Sequence, residues 1–219
     1  MPLSALLPDQ LREVYDRVGA AQDRQGWYED PAVDVLLQHG AFGAARAVVE
    51  MGCGTGRLAA RLLEMAPEAT YRGTDLSLVM ADLARARLAP YGDRASVEVV
   101  TGGPPTAPPD SVDRFVATYV LDTLSAGDIA RTLDAAHRML APGGRLCLAS
   151  LSGGEGAVSR AVGAGWRALY RLRPTLVGGC RPVEVRPLLD PDQWDVLHAE
   201  RVAPRGVPSE AVVAVPRKP

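Results

Sequence analysis

Val48-Val-Glu-Met-Gly-Cys-Gly-Thr-Gly-Arg57 is the stretch whose reading decides the fold. Two β-branched residues close an apolar run, and an acidic residue, Glu50, follows. Three alternating glycines, Gly52, Gly54 and Gly56, then lead into a helix-like segment, Arg57-Leu-Ala-Ala-Arg-Leu-Leu-Glu64. A strand that passes through alternating glycines into a helix brings bare backbone close to a ligand. The helix N-terminus adds unpaired N–H groups and a partial positive charge. At the first strand of an α/β domain, such a turn reads as a nucleotide-cofactor site. A dinucleotide fingerprint, G-x-G-x-x-G, begun at Gly52 would need its third glycine at position 57, which is Arg57. The pattern present is E-x-G-x-G-x-G instead.

Upstream, Leu11, Val14 and Val18 have helical spacing within 9–21, and Asp30-Pro31 reads as the cap and first turn of a second helix over 30–39. Downstream, strand and helix patterns alternate. Thr70–Thr74 is a strand running into Asp75, and a helix with Val79, Leu83 and Leu88 on one side follows it. Val97–Val100 is the third strand. Prolines between 104 and 109 block either regular element. Arg114–Leu121 is the fourth strand, Asp128–Leu140 a helix, and Leu146–Leu151 the fifth strand after Pro142-Gly-Gly. This alternation predicts a parallel sheet with right-handed crossovers. The pattern then breaks into a helix over 158–172, a proline-rich stretch to 191, and two strands, Trp194–Val202 and Ala211–Val215, joined closely enough to pair antiparallel.

One domain is expected from 219 residues, with 47% hydrophobic and 23% charged residues as in ordinary globular proteins. A formal net charge of −2 offers no bulk attraction to nucleic acid. No apolar run is long enough to span a membrane, and the stretch from Met1 lacks a signal-peptide pattern, so a cytoplasmic location is expected. Cys53, Cys147 and Cys180 are odd in number and widely spaced, which suggests neither a disulfide framework nor a zinc site, and no metal is expected. Lys218 is the only lysine, which disfavours Schiff-base chemistry.

Five features fall in chain order: the glycine turn, Asp75 after the second strand, Thr101-Gly-Gly103 after the third, Tyr119-Val-Leu-Asp-Thr-Leu124 after the fourth, and Arg138-Met-Leu-Ala-Pro-Gly-Gly-Arg-Leu146 before the fifth. Together they resemble the small-molecule class I S-adenosylmethionine (SAM)-dependent methyltransferases, and are similar to the ubiquinone/menaquinone-biosynthesis type. The resemblance implies a Rossmann-like α/β fold, a mostly parallel seven-stranded sheet with an antiparallel C-terminal strand pair and helices on both faces. It divides the chain into an N-terminal helical cap (1–43), a SAM-binding core (44–151), a substrate-side insertion (152–191) and a C-terminal strand pair (192–219). It implies SAM as cofactor and S-adenosylhomocysteine as product. The backbone of Gly52, Cys53, Gly54 and Gly56 would lie along the methionine part, with Glu50 balancing positive charge. Asp75 would take the ribose hydroxyls, although it also reads as a helix cap. Leu76 and Met80 would pack on the adenine. Gly102 and Gly103 stand where an adenine-binding acidic residue is common, a departure that leaves this contact to backbone. Tyr119 would line the site near the sulfonium, or serve as a sheet aromatic.

The resemblance implies that the acceptor is a small molecule with an O, N or C nucleophile. No residue declares itself as a base; His39, Tyr119 and Asp122 are the candidates, with a helix cap or surface charge the plainer reading of Asp122. Tyr15, Trp27, Tyr28, Trp166 and Tyr170 flank the expected cleft. Arg171 and Arg181 would hold a carboxylate or phosphate on the acceptor, or simply form a solvated helix face. A SAM-binding regulator without activity and a nicotinamide oxidoreductase are the rival readings. Monomer and homodimer both remain open.

Overall fold

A computed structural model describes residues 5–218; Met1–Ser4, which begin the stretch read for a leader, and Pro219 lie outside them. Helix α1 (Pro8–Val18) opens on a proline in its first turn, with the Gln10 side chain accepting the Leu7 N–H at 3.0 Å. It stops earlier than the spacing predicts, because Gly19 takes φ +50°. A 3-10 segment over Gly19–Gln25 runs straight into α2 (Gly26–His39). This corrects the expected start at Asp30-Pro31. Pro31 lies inside α2, at the loss of the one bond its N–H would have made to the Trp27 carbonyl.

The central alternation follows as β1 (Ala47–Met51), α3 (Arg57–Met65), β2 (Thr70–Asp75), α4 (Leu78–Leu88), β3 (Ala95–Val99), β4 (Val112–Thr118), α5 (Ala126–Met139) and β5 (Leu140–Leu151). Within this alternation the boundaries of β4 and β5 depart furthest from expectation, while β3 and α5 shift by one or two residues. β4 ends at Thr118, since Tyr119 adopts φ +56°, and β5 begins at Leu140 rather than Leu146. The Pro142-Gly-Gly stretch is a register shift inside the β4–β5 ladder, between the pairs Val112–Leu140 and Arg114–Arg145. Helix α6 (Gly156–Leu172), β6 (Trp194–Val202) and β7 (Ser209–Pro216) complete the chain.

All seven strands form one sheet in the order β3-β2-β1-β4-β5-β7-β6. β7 runs antiparallel to both neighbours, and the pairings among β1 to β5 are parallel. Neighbouring residues of the inner strands serve opposite faces. Val48 and Val116 pack with Leu36, Phe42, Leu62 and Leu63 beneath α2 and α3, whereas Val49 and Phe115 pack with Leu133 and Met139 beneath α5. Each such fully buried side chain contributes about 1.5–3 kcal/mol, which fixes the strand register. Among the described residues no helix is long and apolar enough to cross a membrane.

Candidate active site

The glycine turn sits at the carboxyl end of β1, where an open parallel sheet binds its ligands. Gly52, Gly54 and Gly56 all have positive φ, at +71°, +53° and +76°. Their reasons differ. A Cβ on Gly52 would stand 2.2 Å from Val120 Cγ2, and one on Gly56 would stand 3.0 Å from Ala84 Cα. A Cβ on Gly54 would meet nothing within 4 Å. Gly52 and Gly56 are thus fixed by packing, and Gly54 leaves its bare backbone turned to open space. The Gly52 and Cys53 amides donate to the Thr74 carbonyl at 2.7 and 3.0 Å, tying the turn to β2.

Asp75 organises the next loop. Its Oδ2 accepts the Gly54 N–H at 2.9 Å and its Oδ1 the Ser77 N–H at 2.9 Å. The cap of α4 is Ser77, whose Oγ accepts the Met80 N–H at 3.1 Å, so the capping role read for Asp75 falls to its neighbour. Each Asp75 oxygen keeps a lone pair for a ligand hydroxyl.

The carboxylates of Glu29, Glu50 and Asp75 line the cleft at this turn, and a further one, Asp122, is buried outside its wall. Glu50 is 1% exposed and accepts the Tyr71 hydroxyl at 2.5 Å, and burial still pushes it up to about 7. Glu29, from α2, also rises to about 7, because burial outweighs the Arg57 guanidinium 3.3 Å away. Burial raises Asp75 too. Asp122 is fully buried and lifted to about 7 by that burial; its Oδ2 accepts the Leu151 N–H at 3.3 Å, and its Oδ1 has no hydrogen-bond partner among the described residues. A cation entering such a cleft meets strong attraction, since it restores the charged form of groups that burial disfavours.

The roof comes from the N-terminal helices. Ser77 Oγ donates to Asp16 at 2.5 Å, Thr55 Oγ1 to Asp23 at 2.5 Å, Arg87 to Asp23 at 2.6 Å, Arg57 to Asp30 at 2.5 Å and Arg61 to Asp34 at 2.6 Å. Five acids of the cap thereby grip the glycine turn, α3 and both ends of α4, if Glu29 is counted with Asp16, Asp23, Asp30 and Asp34. The sequence reading missed Gln22, Asp23, Glu29, Asp30 and Arg57 as cleft residues, all of which line it. The available signal was the run of acids at 16–34 facing Arg57, Arg61 and Arg87.

The cleft collects Glu50, Gly52, Cys53, Gly54, Asp75, Leu76, Met80, Gly102, Gly103 and Tyr119, with Tyr15 at one side. Gly56 lies beneath the turn, against α4, rather than on the cleft wall. The Tyr119 hydroxyl donates to Ser209 Oγ at 3.0 Å. Tyr28 and Trp166 line a second chamber, which also meets Tyr15. Other candidates stand apart. His39 stacks on His198, with centroids 3.6 Å apart, and its carbonyl accepts from Arg145 near the amino ends of β4 and β5. Trp27 is 46% exposed beneath Arg205. Tyr170 is buried off both cavities, and Arg171 is exposed on α6. The Arg181 guanidinium is taken up by the carbonyls of Asp122 and Leu124. The two arginines read as anion holders therefore line neither cavity, which corrects that expectation.

The arrangement of sheet, glycine turn and Asp75 defines a class I methyltransferase fold. Residues 49–146 match a family model described as a methyltransferase domain. No curated protein sequence matches the chain at a significant level. Among solved structures, the chain is similar to the [4+2]-cyclase SpnF, at 15% identity and a TM-score of 0.72 over 98% of each chain. It is similar to an O-methyltransferase family protein from Burkholderia thailandensis, at 18% identity and a TM-score of 0.64, over 95% of this chain and 59% of that one. It is also similar to a geranyl diphosphate methyltransferase in complex with GPP and sinefungin, at 14% identity and a TM-score of 0.63, over 87% and 78%. The chain thus spans little more than half the length of the second neighbour. At these identities the likenesses establish the fold, and the domain match supplies the activity. Residues 49–146 thus form a methyltransferase domain, on a fold that the chain shares with solved methyltransferases. These neighbours do not single out the ubiquinone/menaquinone-biosynthesis type.

Proposed function

We propose that this chain methylates a small molecule with SAM held across the Gly52–Gly56 turn. The observation that carries this is the pairing of bare backbone at Gly54 with Asp75, in a cleft where the Glu50 and Asp75 carboxylates have no cationic partner among the described residues. SAM, when bound, supplies a methyl group on a cationic sulfonium, which leaves with its bonding pair on sulfur as the acceptor's lone pair forms the new bond. The protein's part is alignment and exclusion of water. Asp75 would accept the ribose hydroxyls, Leu76 and Met80 would pack on the adenine, and Glu50 and Glu29 would balance the cofactor's positive charge. Tyr119, held by Ser209, would wall the methyl group. The roof of α1 and α2 would keep water out. Three unpaired cysteines and the absence of a spanning helix among the described residues fit a cytoplasmic setting.

Calorimetry with SAM and with NAD tests the cofactor, and S-adenosylhomocysteine release against phenols, quinols and amines tests turnover. Binding of NAD in preference to SAM would end this reading. SAM binding without turnover on any acceptor class would leave only a binding protein.

A further inference from the structure

A second chamber of about 630 Å³ lies between the N-terminal helices and α6. Tyr15 and Gln22 line both this chamber and the cofactor cleft, so the two spaces meet at those side chains. Its walls are Val14 and Val18 of α1, Val162, Trp166 and Leu169 of α6, and Leu176 beyond it; no charged side chain among the described residues lines it. Its polar groups are mostly paired with one another. Tyr28 Oη donates to Gln25 Oε1 at 2.6 Å, Trp166 Nε1 donates to the Cys180 carbonyl at 2.9 Å, and Tyr15 Oη lies 3.6 Å from Cys180 Sγ.

Gln22 is the exception, and it stands at the junction. Its Nε2 donates to Gln25 Oε1 at 3.0 Å and to Glu29 Oε1 at 3.2 Å. Those two donations fix the orientation of the amide. Its Oε1 is then shielded from solvent with no hydrogen-bond partner among the described residues. A buried carbonyl without a donor is costly, and a bound molecule that brings one relieves it.

We propose that the methyl acceptor is an uncharged, mainly apolar molecule that fills this chamber and donates a hydrogen bond from its reacting hydroxyl or amine to Gln22 Oε1. The proposal rests on the methyltransferase reading. An anionic acceptor would lose its hydration to a wall without a cation and would face the carboxylates of the adjoining cleft. The aromatic edges of Tyr28 and Trp166, whose centroids are 6.4 Å apart, suit a flat ring system.

The test uses calorimetry with 1-naphthol, 1-naphthoate and 1-methylnaphthalene on the SAM-loaded protein. Gly165 lines the chamber from α6, and a Cβ there meets nothing within 4 Å, so Gly165→Phe fills the space without disturbing the helix. 1-Naphthol is expected to bind and 1-naphthoate to bind at least about tenfold more weakly, with Gly165→Phe abolishing naphthol binding and leaving SAM affinity unchanged. Gln22→Met is expected to weaken 1-naphthol by about tenfold, the loss of one hydrogen bond, and to leave 1-methylnaphthalene unaffected. Naphthoate binding as tightly as naphthol, undetectable naphthol binding, or naphthol binding unchanged in Gly165→Phe would each overturn the proposal. If selective naphthol binding persists in a protein that never binds SAM, the methyltransferase reading fails and the chamber stands as an apolar ligand site.

Discussion

Arg57, which stands where a dinucleotide fingerprint would put a glycine, reaches from the first turn of α3 to Asp30 of α2 at 2.5 Å and to Glu29 at 3.3 Å. The residue that breaks one cofactor pattern is the one that fastens the roof over the other. The Arg57 and Asp30 side chains are 32% and 39% exposed, so their pairing alone is worth no more than about 1 kcal/mol. Glu29 is more deeply placed and has Arg57 as its cation. Arg57→Ala is therefore expected to weaken SAM binding by about tenfold and to quicken its release, while Asp30→Asn does less. Stopped-flow dissociation at low and high salt checks this: the wild type should shift towards the variant as salt rises.

Asp75→Asn keeps an oxygen for one backbone amide and places an NH₂ group where a second acceptor stood. The expected result is a folded protein whose SAM affinity falls by about 30- to 100-fold, or about 2–3 kcal/mol. Calorimetry measures the affinity, and an unchanged circular dichroism spectrum separates the effect from unfolding.

Gly52→Ala and Gly54→Ala should behave differently although both carry positive φ. The first drives a Cβ to 2.2 Å from Val120 and is expected to lower stability as well as cofactor binding. The second has free space and adds only backbone strain, about 1 kcal/mol, so it should fold and lose affinity through the methyl projecting into the cleft. Thermal melts with and without SAM distinguish the two.

Glu29, Glu50 and Asp122 each sit near 7 in the fold, above their ordinary carboxylate values, through burial. The folded protein then holds protons that the unfolded chain has already released between about pH 4.5 and pH 7. Stability of the cofactor-free protein is expected to fall as pH rises across that window and to level off above it. SAM, a cation, favours the ionised forms, so its affinity should climb over the same window with proton release. S-adenosylhomocysteine lacks the sulfonium charge and should show a shallower dependence. Melting curves and calorimetry in buffers of different ionisation enthalpy read both effects.

The central alternation was legible because β-branched runs, prolines and glycines punctuate it, and the glycine turn announced itself through spacing that packing against Val120 and Ala84 demands. Hidden from sequence was whatever depends on distant segments meeting. Asp30 read only as a helix cap, and Glu29 and Gln22 carried no signal, because their place in the cleft exists only once the N-terminal segments fold over the turn. Arg181 read as an anion holder because its partners are carbonyls of Asp122 and Leu124, and carbonyls leave no mark in composition. Tyr119 ends β4 early through a left-handed backbone conformation that few non-glycine residues adopt, which strand propensity could not foresee.

β7 is translated after β6 yet stands between β5 and β6, and its first residue, Ser209, accepts the Tyr119 hydroxyl. On the ribosome, β6 has no neighbour to pair with until β7 emerges, and the wall that Tyr119 forms stays unfastened until then. Competence to hold cofactor should therefore arrive late and abruptly during synthesis, with nascent chains halted before Ser209 exposing two unpaired strand edges to chaperones or to one another.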